Sequence, residues 1–231
     1  MFLKYLYYLI MKLTHPYYQN NLNTFEGMMP VAEKVYKQII TLPIFPLMSK
    51  QDIEDVISGG MLSNFSNSIS ENLYIFNSKL KKIKQFCEQH IKIYAEQIIK
   101  PTEDLDFYIT QSWLNVNKPG EYHRRHNHQN SIISGVFYVE TVEDDKIVFT
   151  DPNMNIKEFI TFGEEREFNL WNSSQWGVPV NNNKLILFPS WLEHQVEPNQ
   201  TTTTDRISLA FNSFVRGFVG NIGQLTELTL K

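Results

Sequence analysis

The chain has 231 residues, with 42% hydrophobic and 13% aromatic side chains, and 21 Lys+Arg against 25 Asp+Glu for a net charge of -4. That composition buries a core, which excludes a wholly disordered chain and a disulfide-stapled miniprotein. The slightly acidic balance leaves no electrostatic footprint for a nucleic-acid backbone, so no nucleic-acid partner is expected.

At about 150 residues per domain the length fits one large domain or two small ones. The opening run Met1 to Lys12 is apolar but broken by Lys4 and Lys12. It is too short to span a bilayer and is followed by no small-residue cleavage site, so a soluble protein without a membrane partner is expected. The single cysteine, Cys87, forms no internal disulfide and fits no zinc-finger spacing, which points to a reducing, cytoplasmic setting.

Residues 1 to about 60 mix aromatics and prolines, and residues 61 to about 100 read as helical. Within that stretch Phe76, Leu80, Ile83, Cys87, Ile91, Tyr94 and Ile98 recur at steps of three and four between lysines. The spacing predicts an amphipathic helix over about 77–100, capped by Asn77 or Ser78, stopped by Pro101 and laid over a sheet. Cys87 falls on the apolar stripe and reads as an inert core thiol.

From about residue 105 short β-type runs alternate with turn signals. They cover 107–117, ending at Lys118-Pro119-Gly120-Glu121, then 122–128, 131–139, 146–150, 184–188, 194–197 and 205–215. Many short strands after a helix predict a sandwich or closed barrel with the helix outside. Trp113, Trp171, Trp176 and Trp191 read as packing and rim residues.

Three of the six histidines fall in Tyr122-His-Arg-Arg-His-Asn-His128. On a strand His126 and His128 face one side, a chelating spacing, whereas His123 has the opposite parity and faces away unless the strand is irregular. Arg124 shares the parity of His126 and is placed to face the barrel mouth. Arg125 points outward, and either arginine is placed to meet an acidic substrate at the rim or simply to be solvated. His194 follows the buried run Leu185-Ile-Leu-Phe-Pro-Ser-Trp-Leu-Glu, where a third ligand from a distant strand closes a facial metal site. In Asp205-Arg-Ile-Ser-Leu-Ala-Phe-Asn212, Arg206, Ser208, Ala210 and Asn212 point one way, and Ile207, Leu209 and Phe211 pack the other way against the helix layer. An inward guanidinium is costly unless an anion pairs with it: a bound carboxylate, with Ser208 adding a hydrogen bond, or a protein carboxylate.

Four of these stretches, Trp113 to His123, His126 to Tyr138, Phe188 to His194 and Arg206 to Asn212, resemble in order a bacterial and phage family of 2-oxoglutarate/Fe(II)-dependent oxygenases. The resemblance covers about residues 70–231, including Phe214-Val-Arg-Gly217 and Leu225-Thr-Glu-Leu228. It implies a mainly β fold with flanking helices, a double-stranded β-helix or jelly-roll barrel. Fe(II), 2-oxoglutarate and O2 are implied as cofactor and cosubstrates. The implied reaction is oxidative decarboxylation of 2-oxoglutarate coupled to hydroxylation or a related oxidation of a small-molecule, amino-acid or sugar-type substrate.

Carried over, His126, His128 and His194 hold the metal and form the catalytic set. Arg206 and Ser208 clamp the far carboxylate of 2-oxoglutarate, helped by Tyr138 or Asn115. The departure is His128, which stands where the superfamily has a carboxylate; Glu121 or Asp151 is the alternative third ligand. A second reading is a cupin-like metal-binding barrel or three-His dioxygenase that does not use 2-oxoglutarate, distinguished by an Arg206 engaged with a protein carboxylate.

His15-Pro-Tyr-Tyr and Pro30 to Ile57 resemble the C-terminal tail of pyridoxal-phosphate-dependent nucleotide-sugar aminotransferases, without the catalytic lysine region or the cofactor pocket. Residues 1–60 are therefore expected as a helix-and-loop extension, a fusion remnant without chemistry, and 61–231 as the oxygenase-like domain. The alternative is that Leu42 to Pro46 simply leads into that domain.

Overall fold

The computed structural model describes residues 40–42, 48–77, 80–153 and 173–231. Most of the aminotransferase-like segment, Ser78 and Trp171 lie outside the described residues. The strands in chain order are β1 (Ile40–Leu42), β2 (Met61–Asn64), β3 (Asn67–Ser70), β4 (Asp106–Asn117), β5 (His123–His126), β6 (Ile133–Glu140) and β7 (Lys146–Thr150). They continue with β8 (Gln175–Pro179), β9 (Leu185–Pro189), β10 (His194–Val196), β11 (Arg206–Val219) and β12 (Leu228–Leu230). The larger sheet runs β1-β9-β6-β11-β4-β3-β2 with β12 added to β11, and the smaller runs β5-β10-β7-β8. From β4 to β11 the chain passes repeatedly between the two sheets, with every named pairing antiparallel. This is the double-stranded β-helix.

Side-chain parity divides the interior in two. On the outer face of the larger sheet, Leu114, Phe137, Leu185, Leu187, Leu209 and Phe211 join Ile83, Cys87, Ile91 and Tyr94 of the helix α2 (Lys81–Tyr94) in one cluster. Between the sheets, Tyr138, Ile147, Phe149, Ile186, Phe188 and Leu192 form the second. β9 is buried along its whole length and supplies both clusters, which is why it reads as an unbroken apolar run. Each large aliphatic or aromatic side chain so buried contributes about 1.5–3 kcal/mol. Gly135 is required on β6 because a Cβ there would run into the ring of Phe211, itself packed 5.7 Å from the ring of Phe76. Cys87 is fully buried and burial pushes its thiol well up, consistent with an inert core residue.

The helix differs from expectation at its start. Leu80 is its N-cap and makes no side-chain capping bond, while Asn77 instead accepts a hydrogen bond from Lys84 Nζ at 3.1 Å. After Tyr94 the backbone continues as a π-helical turn, Ala95–Ile99, and ends at Lys100, whose left-handed φ of 52° turns the chain ahead of Pro101.

Residues 61–70, expected as part of the helical stretch, instead form the β2–β3 hairpin, paired through β3 to β4. Its Ser- and Asn-rich strands lack the β-branched alternation that marks a strand in sequence. They are strands because the exposed edge of β4 offers them backbone partners.

Packing also crosses residue 60. β1 pairs with β9, Ile40 to Leu187 and Leu42 to Leu185. The helix α1 (Lys50–Ile57) is started by a Ser49/Asp52 capping box, and Ile53 and Val56 pack on the main cluster. Residues 40–42 and 48–57 thus make contacts with the barrel, while Pro43 to Pro46 lie outside the described residues. Truncation after residue 60 exposes the β9 edge and these apolar contacts. The expected product is insoluble or melts well below the full chain in a thermal scan; a soluble product with unchanged melting would make the segment a dispensable appendage.

Candidate metal centre and anion cavity

β10 places His194 in register with His126 on one side and Phe149 of β7 on the other. His126, His128 and His194 bring one ring nitrogen each within 4.8 Å of one another. Each is held differently. His126 Nδ1 donates to the Arg124 carbonyl at 2.7 Å, and His194 Nδ1 to the Leu192 carbonyl at 3.0 Å. Both rings are thereby fixed with Nε2 as the free donor atom. His128 lies beyond the end of β5, anchored by its backbone N–H to the Ser190 carbonyl at 2.9 Å. Its Nε2 sits 3.3 Å from that of His194, close to the ~3 Å that separates neighbouring imidazole nitrogens around a metal at about 2.1 Å.

The Ser190 hydroxyl is tied to Ser131 at 2.7 Å and Ser134 at 2.8 Å, and Ser134 donates to Asn212 Oδ1 at 2.9 Å. Asn212 therefore faces inward, as its parity requires, and stiffens the loop that carries His128. No carboxylate joins the cluster among the described residues. Glu121 caps its own turn by accepting from Lys118 N–H, and Asp151 accepts from Asn153 N–H.

His123 does not face away. Between His126 opposite His194 and His123 opposite Val196 the register slips by one residue, and this bulge turns His123 onto the metal side. Its ring stacks on His126 at 4.3 Å. Burial pushes all four imidazoles down: His128 to about 4, His123 to about 3, His126 by a lesser amount and His194 well below the usual value. Each is neutral at pH 7, the state in which imidazole binds a divalent metal. Three convergent neutral nitrogens with fixed tautomers fit a first-row divalent ion.

A narrow cavity of about 30 Å³ runs inward from the histidines and is lined by Asn115, Tyr138, Arg206 and Ser208. Ser208 lies opposite Asn115 on β4 and Tyr138 on β6, so the sheet register brings the expected clamp together. Binding a molecule of several heavy atoms there requires the lining side chains to shift. Arg206 is 4% exposed; its Nε donates to Asp145 Oδ2 at 2.9 Å and its Nη1 to the Glu197 carbonyl at 3.0 Å.

The carboxylate contact expected only of the alternative that does not use 2-oxoglutarate is thus present. Asp145 takes Nε alone, however, and Nη2, the Tyr138 hydroxyl and Ser208 Oγ have no hydrogen-bond partner among the described residues. Burial pushes the Tyr138 phenol up, Asp145 adding to the effect and Arg206 opposing it, so the phenol remains a proton donor. Asn115 Oδ1 accepts from Trp113 Nε1 at 3.1 Å, which turns Trp113 into a wall of the site, while Trp176 packs on the inner core and Trp191 lies at the surface.

Sequence reasoning missed Asp145 and Trp113 as members of the site, and placed His123 on the metal side only for an irregular strand. Asp145 sits in the run Glu143-Asp144-Asp145-Lys146, which looks like a solvated turn, and nothing in the sequence marks its buried member.

Residues 111–212 match the family model described as "Putative 2OG-Fe(II) oxygenase", and residues 4–59 match the DegT/DnrJ/EryC1/StrS aminotransferase family. A 2OG-Fe(II) oxygenase family oxidoreductase from Burkholderia pseudomallei aligns with a TM-score of 0.50 and 10% identity, over 81% of this chain and 90% of that one. The epimerase SnoN from nogalamycin biosynthesis, solved with Fe3+, alpha ketoglutarate and nogalamycin RO, aligns with a TM-score of 0.52 and 10% identity over 80% and 82%. The spore coat polysaccharide biosynthesis protein SpsC of Bacillus subtilis (strain 168) is 44% identical over 43 residues, 19% of this chain but only 11% of that protein. Among the described residues no helix is long and apolar enough to cross a membrane.

The depressed histidines set a pH dependence. Below about pH 6.5 the unfolded chain takes up protons that the folded metal-free protein refuses. Stability is therefore full above that pH and falls as pH drops toward about 4 for His128, by up to about 1.4 kcal/mol per pH unit for each histidine. Urea unfolding of the metal-free protein at pH 7, 5.5 and 4.5 is expected to show this slope, and His128→Asn to reduce it; an unchanged slope in the variant would contradict the burial of His128.

Proposed function

We propose that the barrel of this chain is a 2OG-Fe(II) oxygenase domain that uses His126, His128 and His194 to hold Fe(II), with Arg206, Tyr138 and Ser208 receiving 2-oxoglutarate. The observation that carries this reading is the set of unpaired donors, Arg206 Nη2, the Tyr138 hydroxyl and Ser208 Oγ. They lie along one cavity whose outer end is the histidine cluster. Three donors left without a partner among the described residues, on the wall of one narrow cavity, suit a carboxylate, which accepts several hydrogen bonds at once.

Bound Fe(II) supplies the redox chemistry: O2 and 2-oxoglutarate are converted to succinate and CO2, and the remaining oxygen atom goes into an oxidised product. The chain's own residues position and shield. His194, buried at the inner end, and His126 keep their Nδ1 protons on backbone carbonyls, so neither ring rotates away from the metal. Asp145 orients the Arg206 guanidinium and balances its charge in the absence of ligand, which keeps a buried cation tolerable. Phe149, tilted, and Phe188, edge-on, lie against the His194 ring at 6.0 and 4.6 Å and exclude water from its inner side. Because three imidazoles are neutral, the centre carries one more positive charge than one with a carboxylate ligand. Within the front segment that matches an aminotransferase family over residues 4–59, residues 40–42 pair with β9 and Ile53 and Val56 pack on the main cluster.

Calorimetric titration of 2-oxoglutarate into anaerobic Fe(II)-loaded protein tests the clamp. Arg206→Gln is expected to weaken binding about 10–100-fold, the worth of a charge-assisted pair, and Tyr138→Phe about fivefold, with iron content unchanged in both. Wild-type protein that holds Fe(II) yet binds no 2-oxoglutarate would return the barrel to the three-His alternative.

A further inference from the structure

We infer that the outer cavity over the histidine cluster is the site of the oxidised substrate, and that it takes a small anionic molecule: a carboxylate- or phosphate-bearing compound with a flat or apolar body, held between Arg124 and the β2–β3 hairpin. The inference rests on the metal-site reading above and adds to it the class of substrate.

The cavity encloses about 300 Å³ and shares His123, His126 and His128 with the inner one, so whatever fills it lies against the metal position. Its far wall is the hairpin tip, Phe65 and Ser66, with Trp113 and Gln111 from β4 at the side. Among the described residues the wall contains one cation, Arg124, and no aspartate or glutamate.

The two adjacent arginines separate sharply in role. Arg125 turns outward to Glu193 at 3.7 Å. Arg124 has no ion pair among the described residues; its guanidinium lies 4.2 Å over the Phe65 ring, a contact that orients the group without neutralising it. Phe65 is 85% exposed and adopts a left-handed φ of 54°, a conformation that a bulky side chain rarely takes and that clusters at ligand sites. The Ser66 carbonyl accepts from Tyr122 N–H at 3.1 Å, pinning the hairpin tip to the lead into β5. Ser66 Oγ, lining the same cavity, is buried with no partner.

These features define the chemistry that fits. A neutral set of metal ligands leaves the centre more positive than a carboxylate-bearing one, Arg124 adds a cation at the outer rim, and no acid in the wall opposes either. With 2-oxoglutarate on the metal the charges of the two cancel, so an anionic group meets no repulsion at the inner end and gains at Arg124, while Phe65 and Trp113 offer ring faces to a flat or apolar body.

The test measures binding of three probes of similar size, phenyl phosphate, phenylacetate and 2-phenylethanol, to anaerobic protein loaded with Fe(II) and saturated with 2-oxoglutarate so that Arg206 is occupied. At least one of the two anions is expected to bind tenfold or more tightly than the alcohol, and the better anion tells phosphate from carboxylate. Arg124→Gln is expected to abolish that preference while iron and 2-oxoglutarate content stay at wild-type levels, and Phe65→Ala to weaken all probes severalfold. Equal affinities for the alcohol and both anions on fully loaded protein, or a preference that survives Arg124→Gln, would overturn the substrate class alone. Protein that fails to load Fe(II) and 2-oxoglutarate would overturn the function and the subsite together.

Discussion

The antiparallel pairing of β5 with β10 decides the chemistry of this barrel, because it alone sets His126 opposite His194. β10 is short, and β7 on its other side fixes its register through Phe149. The bulge in β5 then turns His123 inward, and the chain leaving β5 is caught by Ser190, which swings His128 back over the pair. A one-residue slip in this register would turn His126 or His194 to the opposite face. The serine network beneath, with Asn212 at its end, holds the returning loop where the third imidazole is needed.

Charge organises what the backbone positions. The described part of the site contains four imidazoles kept neutral by burial, one buried guanidinium and one buried carboxylate. The Arg206–Asp145 pair lies at the inner end, where side chains of both partners are almost wholly enclosed, 5% and 1% exposed. Such a pair is weak evidence of stability, since desolvation offsets most of its attraction. Its value here is geometric: Asp145 and the Glu197 carbonyl hold two guanidinium nitrogens, and the third is aimed along the cavity. An ion pair with a protein carboxylate and a clamp for a ligand carboxylate are therefore compatible in one arginine.

Much of this was legible in the sequence, and what was not has identifiable causes. The strands β4, β6, β7, β9, β10 and β11 follow from apolar alternation or from unbroken apolar runs, and the inward set Arg206, Ser208, Ala210 and Asn212 follows from parity alone. The stripe through Cys87 and Ile91 marked the covering helix. The β2–β3 hairpin was not legible, because its strands are set by the edge of β4 rather than by their own composition. Parity failed at His123, where a bulge that no local residue pattern announces reverses the face. Asp145 was hidden in an acidic turn, and the integration of residues 40–57 depends on pairing with β9, which is distant in sequence.

The central claim is that three neutral imidazoles, with no carboxylate, hold the iron. Iron-edge X-ray absorption on anaerobically Fe(II)-loaded protein counts imidazole scatterers directly. Three imidazoles in the wild type and two in His128→Ala are the result this structure predicts. Two imidazoles in the wild type, unchanged by that substitution, would contradict it and assign the third position to a residue other than His128.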